Sequence, residues 1–254
     1  MKILVCIKRV PAPGGKLPLT EDGTDIDTRH IGFTIGPHEE CAVEEAVRLA
    51  DEHGGEVTVL SAGPPDVAQQ LRYALSMGAH TGVLVEQTTQ APETTAVVLA
   101  EAIGTLEAEK GTFDLLLFGN ESADAGNYQV GIRVACALGR PVVGGIKGIR
   151  IPDESTQVFL RREGADGIET YQAPLPAVAA VKEGLNLPRY PTIKGRLRAK
   201  KAFLRTIRPE VSPGNLRTLR LRQPPEQEQE TVVLGHGTDA AESVVDLLTR
   251  KGLV

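Results

Sequence analysis

The chain has 254 residues, 41% of them apolar, which is enough to bury a core in one large domain or two small ones. Its net charge of −5 argues against a nucleic-acid-binding protein, because such a protein would carry a basic face. No apolar run approaches the roughly 18 residues that a membrane span needs. The amino-terminal segment becomes charged too soon for a signal peptide, so we expect a cytoplasmic protein without direct membrane insertion.

Cofactor signals in the composition are weak. Aromatic residues make up 4% of the chain and tryptophan is absent, which leaves few rings to stack on a flavin or a base. Cys6, Cys41 and Cys136 show no CxxC or Cys/His spacing, so neither a disulfide framework nor a zinc or iron–sulfur site is expected. All three lie in apolar segments, which favours burial as small hydrophobic side chains over a reactive thiol.

Strand and helix patterns alternate through the first two thirds of the chain. Apolar runs and helical spacing predict, in chain order, a strand at 3–7, a long loop at 8–35, a helix at 39–53, a strand at 56–60, a helix at 66–77, a strand at 82–85, a helix at 94–110, a strand at 113–118 and a helix at about 127–138. Thr94 or Thr95 is expected to cap the third helix. This alternation predicts a parallel sheet with helices on both faces.

After Gly139 the pattern changes. Segments 147–150, 157–162 and 168–173 predict antiparallel strands around Gly-containing turns, and 177–181 predicts a very apolar core strand. An acidic stretch at 223–230 precedes a short final helix at 240–250. No internal repeat is present.

The strand ends are the places to look for a ligand, because open parallel sheets bind ligands at the carboxyl ends of their strands. Segments 6–8, 61–63 and 118–129 follow such ends. The third contains glycine and runs into a predicted helix, so its backbone N–H groups suit a phosphate. Capping of that helix by Asn127 or Asp124 explains the same pattern without a ligand, and no GxGxxG or Walker A motif decides between the two.

Catalytic signals are also weak. His30 and His38 lie in or just after the long loop, no serine occupies a GxSxG elbow, and no nucleophile–base pair stands out. Four acidic residues admit a carboxylate pair or a divalent-ion site, but solvated loop charges are the favoured interpretation. These are Asp25, Asp27, Glu39 and Glu40.

Segment 188–201 is anomalous in an acidic protein, because six of its fourteen residues are lysine or arginine. Ile193 and Leu197 are embedded among these charges. The segment is either a solvated surface turn or a docking loop that attracts an acidic partner and anchors it with an apolar side chain.

Several stretches resemble the β subunits of electron transfer flavoproteins, and together they cover the chain from Lys2 to about Leu204. They read ILVCIKRVP (3–11), GPHEECAVEEAVRL (36–49), VTVLSAGP (57–64), LRYALSMGA (71–79), DLLLFGNESADAGNYQVG (114–131), LPAVAAV (175–181) and NLPRYPTIKGRLRAKK (186–201). The AVEEA motif and the PRYPTIKG block with its AKK ending are the most specific to this family.

The resemblance implies a heterodimeric electron carrier that accepts electrons from acyl-CoA and other dehydrogenases and passes them to a quinone oxidoreductase. FAD would be held mainly by the α subunit, and this chain would bury a structural AMP and carry no catalytic residues of its own. The implied fold is a Rossmann-like, doubly wound and mostly parallel sheet with an antiparallel extension and a carboxyl-terminal arm. We assign residues 1–185 to the nucleotide-binding domain, 186–205 to a partner recognition loop and 206–254 to an arm that packs on the α subunit.

The resemblance also implies an AMP site. Carried over residue by residue, it comprises Cys6, Gly36, Pro37, His38, Glu39, Ala62, Gly119, Asn120, Glu121, Ser122, Ala123, Asp124, Ala125, Gly126, Asn127, Tyr128, Gln129 and Val130. The backbone amides of 124–129 would receive the phosphate, and Cys6 and Ala62 would leave room for the adenosine.

Two further surfaces are implied in the same way. The recognition loop comprises Arg189, Tyr190, Pro191, Thr192, Ile193, Lys194 and Gly195, with Ile193 as the aliphatic residue that enters a pocket on the dehydrogenase. Leucine is the residue associated with that position, so the substitution keeps the chemistry and changes the shape. Glu163 falls where the family has an acidic contact to the mobile flavin domain of the α subunit.

Three departures from the family pattern bear on these expectations. Residues 11–15 read PAPGG where some relatives have a tyrosine near the flavin, and His80 follows MGA where aspartate is usual. The nucleotide loop reads ESADAGNYQVG, not the DGDTAQVG type of electron-bifurcating relatives, whose β subunit binds a second FAD in place of AMP. This favours AMP over the bifurcating alternative. A free-standing adenine-nucleotide sensor or hydrolase of the same fold is a third alternative.

Overall fold

Helices and strands alternate from the amino terminus in the computed structural model, which describes residues 1–12, 14, 17–87, 91–210, 216, 218–223, 225 and 231–254. The strands are β1 (Lys2–Cys6), β2 (Val10–Pro11), β3 (Phe33–Thr34), β4 (Glu56–Gly63), β5 (Thr81–Glu86), β6 (Leu115–Gly119), β7 (Val142–Arg150), β8 (Gln157–Gly164), β9 (Gly167–Pro174), β10 (Ala177–Val181) and β11 (Leu204–Ile207). The helices are α1 (Pro37–His53), α2 (Ala68–Met77), α3 (Pro92–Lys110), α4 (Val130–Ala137), α5 (Ile193–Lys201) and α6 (Ala241–Arg250). Short 3₁₀ turns occupy Pro65–Val67 and Gly237–Ala240.

One sheet organises the first of two units, Met1–Leu219. Its strand order is β11-β5-β4-β1-β6-β10-β7-β8-β9, and every neighbouring pair from β11 to β7 is parallel. Pairs β7–β8 and β8–β9 are antiparallel. The predicted α/β class, the mostly parallel doubly wound sheet and its antiparallel extension are therefore confirmed.

Two hydrophobic layers cover the two faces of the sheet. Alternate residues of β1 enter different layers, with Ile3 and Val5 on one side and Leu4 and Cys6 on the other. The first layer also contains buried side chains of α1 and α2, and the second contains those of α3 and α4. Strands buried on both faces need continuous apolar runs, which is why β1 and β10 are recognisable in the sequence.

Most helix starts differ from the predictions by one to three residues, and two of these differences bear on capping. α3 begins at Pro92, so Thr94 and Thr95 lie inside its first turn and the predicted cap is wrong. Proline suits this position because its φ is already helical and its missing N–H is not needed in the first turn. α4 begins at Val130, three residues later than predicted.

The basic segment 188–201 is not a loop throughout, because its second half forms α5. β11 follows and adds a parallel edge strand beside β5, an element absent from the prediction. This strand spans the expected boundary at residue 205, while the division of the chain into nucleotide domain, recognition loop and arm stays a prediction.

Burial of the cysteines is confirmed for Cys6 and Cys41 and wrong for Cys136, which is exposed on α4. Burial raises the pKa of the Cys6 thiol, which keeps it protonated and unreactive.

The second unit, Arg220–Val254, contains α6, and the apolar side chains of Val244 and Val245 on that helix are exposed. Part of the 11–15 departure, at Pro13 and Gly15, and most of the acidic stretch 223–230 lie outside the described residues. None of the helices in the described ranges combines the length and apolar composition that a bilayer span requires.

Candidate functional site

The order in which successive strands are added to the sheet reverses between β1 and β6. From β1 the chain proceeds outward to β4 and then β5, and it then returns to place β6 on the opposite side of β1. The connections leave the two strands in opposite directions at this point, so a crevice opens at their carboxyl ends. Cys6 and Phe118 are partners in the register there. The Ser61 hydroxyl donates to the Ile7 carbonyl at 2.7 Å, which ties the end of β4 to that of β1.

A cavity of about 400 Å³ occupies this crevice. Twelve of the eighteen residues expected at the AMP site line it: Cys6, Glu39, Ala62, Gly119, Asn120, Glu121, Ser122, Asp124, Asn127, Tyr128, Gln129 and Val130. The remaining six are outside the lining: Gly36, Pro37, His38, Ala123, Ala125 and Gly126. Gly36 stands behind the wall, where a Cβ would lie 2.5 Å from the Glu39 carboxyl and 3.6 Å from Ala123.

The loop from β6 to α4 is held by its own backbone and by neighbouring strands. The Asn120 N–H donates to the Val181 carbonyl at 2.8 Å, and the Asn120 Oδ1 accepts from the Gly145 N–H at 2.7 Å. Within the loop, the Gly126 N–H donates to the Ser122 carbonyl at 3.0 Å. These hydrogen bonds hold the loop against β10 and β7.

The first turn of α4 faces the cavity without a side-chain cap. Gln129 precedes the helix and makes no capping hydrogen bond, and both Gln129 and Val130 line the cavity. The interpretation of Asp124 or Asn127 as caps is therefore wrong. Uncapped N–H groups at a helix amino terminus attract an anion, because they combine unpaired donors with the positive end of the helix dipole.

Lys8 is the cation closest to this loop. Its Nζ lies 2.6 Å from the Asp124 carboxylate and 3.4 Å from the Ser122 hydroxyl. Lys8 and the other interactions of the carboxylate hold the pKa of Asp124 below its usual range in spite of burial. The neighbouring Arg9 guanidinium lies 3.2 Å from the centre of the Phe33 ring, a cation–π contact, and burial lowers its pKa.

Seventeen lining residues lie outside the expected AMP site, and they include Lys8, Arg9, Phe33, Gln87 and Thr95. Lys8 and Gln87 each follow a strand end closely, which is a usable signal. Phe33 and Thr95 line the cavity because the tertiary fold brings their segments there, and no local sequence pattern indicates this.

Glu39 is the most buried charged residue of the cavity, with 3% of its surface exposed. It lies in the first turn of α1, so its interpretation as a solvated loop charge is wrong. Burial raises the pKa of Glu39 to about 7, and its Oε2 has no hydrogen-bond partner among the described residues. Among the described residues, in this cavity or outside it, no group of three or more His, Cys, Asp or Glu side chains is arranged to hold a metal ion.

The two most distinctive sequence motifs meet in space. Arg189 of the basic segment makes a bidentate ion pair with Glu44 of α1, at 2.8 and 2.9 Å. The Thr192 hydroxyl accepts from the Gly195 N–H at 3.0 Å and caps α5. Ile193, the first residue of that helix, is 80% exposed, and Tyr190 beside it is 81% exposed. The segment is therefore fixed at its base and presents apolar side chains to solvent.

Glu163 lies on β8, separate from the basic segment, and is exposed. Its carboxylate accepts from the Lys147 ammonium at 2.8 Å, and this hydrogen bond lowers the pKa of Glu163. The expected contact with an α-subunit flavin domain stays a prediction.

Comparison with known proteins gives a consistent result. The sequence pattern of the family described as "Electron transfer flavoprotein domain" matches residues 24–211. The electron transfer flavoprotein subunit beta of Syntrophomonas wolfei is 36% identical over 227 residues, which cover 89% of this chain and 86% of that protein. The proteins of the same name from Bacillus subtilis and Dictyostelium discoideum are each 30% identical, covering 92% and 100% of this chain and 95% and 99% of their own lengths. The chain therefore belongs to the electron transfer flavoprotein family, as one of its β subunits.

Proposed function

We propose that this β subunit forms a heterodimer with an electron transfer flavoprotein α subunit and is its nucleotide-holding and docking half. In this role the chain binds AMP as a structural ligand and contributes no catalytic residue of its own. FAD, held mainly by the α subunit, supplies the electron-transfer chemistry. The heterodimer accepts electrons from acyl-CoA and other dehydrogenases and passes them to a quinone oxidoreductase.

The cavity at the β1–β6 crevice carries the nucleotide part of the proposal. Cys6 and Ala62 are small side chains on its wall, which leaves space for an adenosine. The uncapped first turn of α4 provides N–H donors for a phosphate, and the Lys8 ammonium lies at the same loop. A volume of about 400 Å³ is at the lower end of the range for small-molecule sites, which favours a mononucleotide over a dinucleotide.

The basic segment supports the docking part. Ile193 projects from a helix whose last turn contains Arg198, Lys200 and Lys201, so an apolar anchor is surrounded by positive charge. An acidic surface with a hydrophobic pocket is complementary to this arrangement. The fixed base at Arg189 reduces the entropy lost when the segment binds.

Nucleotide analysis of the purified heterodimer tests the proposal. The full chain is co-expressed with its α subunit, the complex is denatured, and the released nucleotides are separated and quantified. One FAD and one AMP per heterodimer are expected. Two FAD and no AMP would replace the proposal with the bifurcating alternative. ATP turnover by the isolated chain as a monomer would favour the sensor or hydrolase.

A further inference from the structure

A second cavity adjoins the proposed nucleotide cavity and shares part of its wall. It has a volume of about 470 Å³ and is more open to solvent. Asn120, Glu121 and Tyr128 line both cavities. Of the three, Tyr128 has the largest side chain.

Tyr128 is held in place by the backbone around it. Its φ of +54° lies in the left-handed region, which a tyrosine seldom adopts. Its hydroxyl packs over Gly144, where a Cβ would lie 2.5 Å from the phenolic oxygen. The left-handed backbone and the close approach to Gly144 place the ring, which is 43% exposed.

The two sides of Tyr128 differ in what they offer a ligand. On the first side, Gln129 and Val130 line the nucleotide cavity at the uncapped amino terminus of α4. On the second side, Arg162 and Lys182 line the open cavity. Glu121, Glu163 and Glu169 line it as well, and Arg162 forms an ion pair with Glu169 at 2.6 Å. The helix amino terminus on one side of the ring and the two cationic side chains on the other would suit two successive phosphates if the ring were absent.

We propose that Tyr128 determines ligand length at this site, ending the nucleotide at its first phosphate and excluding adenosine ligands that continue beyond it. This inference rests on the proposed binding of AMP in the first cavity. A phosphate at the first turn of α4 lies next to Tyr128, which directly precedes Gln129 in the chain. Any group attached to that phosphate meets the ring before it reaches Arg162 or Lys182.

Titration calorimetry on the nucleotide-stripped heterodimer tests the inference, with AMP and ADP-ribose as probes. The unmodified protein is expected to bind AMP at least a hundredfold more tightly than ADP-ribose. Tyr128→Gly is expected to reduce that preference at least tenfold by tightening ADP-ribose binding. Glycine accepts the positive φ, so the substitution removes the ring without straining the loop. Tyr128→Phe keeps the ring and is expected to keep the preference.

A second substitution identifies the role of the open cavity. Lys182→Met, introduced together with Tyr128→Gly, is expected to remove most of the gained ADP-ribose affinity and to leave AMP binding unchanged. Lys182 is exposed, so this change tests its charge without disturbing the core.

The outcomes separate this inference from the proposed function. Absence of AMP binding by the unmodified protein contradicts the proposed function itself. AMP binding with equal affinity for ADP-ribose overturns the role of Tyr128, and this measurement needs no variant to fold. An unchanged preference in Tyr128→Gly, or loss of both ligands, also overturns it, because the ring would then be irrelevant or would be part of the AMP wall.

Discussion

Glu39 brings a carboxyl group into the cavity at a point where two glycines leave it space. A Cβ at Gly119 would lie 2.8 Å from the Glu39 carboxyl carbon, and one at Gly36 would lie 2.5 Å from its Oε2. Burial raises the pKa of Glu39 to about 7, Asp124 and Glu40 also raise it, and Lys8 opposes them. Ionisation of this side chain therefore costs free energy in the folded protein.

The pH dependence of stability follows from the direction of this shift. An acid with a higher pKa in the folded than in the unfolded protein opposes folding once the unfolded form ionises. Its contribution declines from about pH 4.5 to about pH 7 and amounts to on the order of 3 kcal/mol. We expect Glu39→Gln to raise the urea midpoint of the nucleotide-free full chain at pH 8 and to have little effect at pH 4.5.

The half-buried Glu121 on the same cavity wall provides the matched control. Glu121→Gln, the same substitution at a less buried carboxyl group, is measured beside Glu39→Gln at both pH values. An equal effect of Glu39→Gln at pH 4.5 and pH 8 would show that ionisation of Glu39 has no part in its contribution to stability.

At the scale of elements, the basic segment depends on contacts with distant helices. Arg198 donates to the Leu75 carbonyl of α2 at 2.9 Å. Arg72, also on α2, donates to the Ala199 and Ala202 carbonyls at 2.6 and 3.0 Å, which satisfies the carboxyl-terminal end of α5. α5 is therefore secured to α2 at several points, while its apolar residue Ile193 remains exposed.

The ion pair between Arg189 and Glu44 is expected to stabilise the start of this segment. The Glu44 side chain is only 11% exposed, so Arg189→Ala leaves a nearly buried carboxylate without its bidentate partner. We expect a loss of about 1–3 kcal/mol in the free energy of unfolding of the full chain, measured by urea titration. Arg189→Lys should recover only part of it, because an ammonium cannot make the bidentate pair.

Arg29→Ala serves as the control for this experiment. Arg29 forms a shorter ion pair with Asp27, at 2.5 Å, but the arginine is largely exposed. Solvent screening should make its removal nearly neutral. If both substitutions lowered the urea midpoint equally, burial of Glu44 would not be the source of the effect.

For the molecule as a whole, local patterns predicted the buried part of the sheet and missed its edge. β1 and β10 are continuous apolar runs, and their periodicity identifies them without reference to the rest of the chain. β11 is short and its pairing with β5 joins residues far apart in sequence, so no local signal exists for it. α5 was hidden for a related reason: its charged composition resembles a surface turn, and distant groups such as Arg72 satisfy its end.

The candidate site also has a part that the sequence predicts and a part that it does not. The strand ends at Cys6 and Gly119 followed from the predicted topology and the rule for parallel sheets. Burial of Glu39 and the position of Tyr128 in the lining of two cavities depend on the packing of α1, the β6–α4 loop and Gly144. Such features require the assembled fold, because each is decided by what lies opposite the side chain.

The cavity lies at the β1–β6 crevice and α5 packs on α2, so under the proposed function we expect independent effects on nucleotide binding and on docking. Ala62 lines the cavity at the end of β4, whereas Ile193 begins the helix that packs on α2. In the heterodimer, Ala62→Leu should expel AMP because three added carbon atoms enter the adenosine space. Ile193→Ala should retain one AMP and weaken electron acceptance from acyl-CoA dehydrogenase about thirtyfold in apparent affinity, the effect of losing an interface anchor of about 2 kcal/mol.

Both variants are assayed for AMP and FAD content by chromatography and for dehydrogenase-dependent flavin reduction. Val97→Ala, a truncation of a partly exposed apolar residue on α3, controls for the loss of surface hydrophobic area. Full dehydrogenase coupling in Ile193→Ala would show that Ile193 is not part of the docking surface. Retention of AMP in Ala62→Leu would show that the nucleotide binds elsewhere. Loss of both properties in either variant would contradict the expected independence, because the cavity and the docking helix would then respond as one structure.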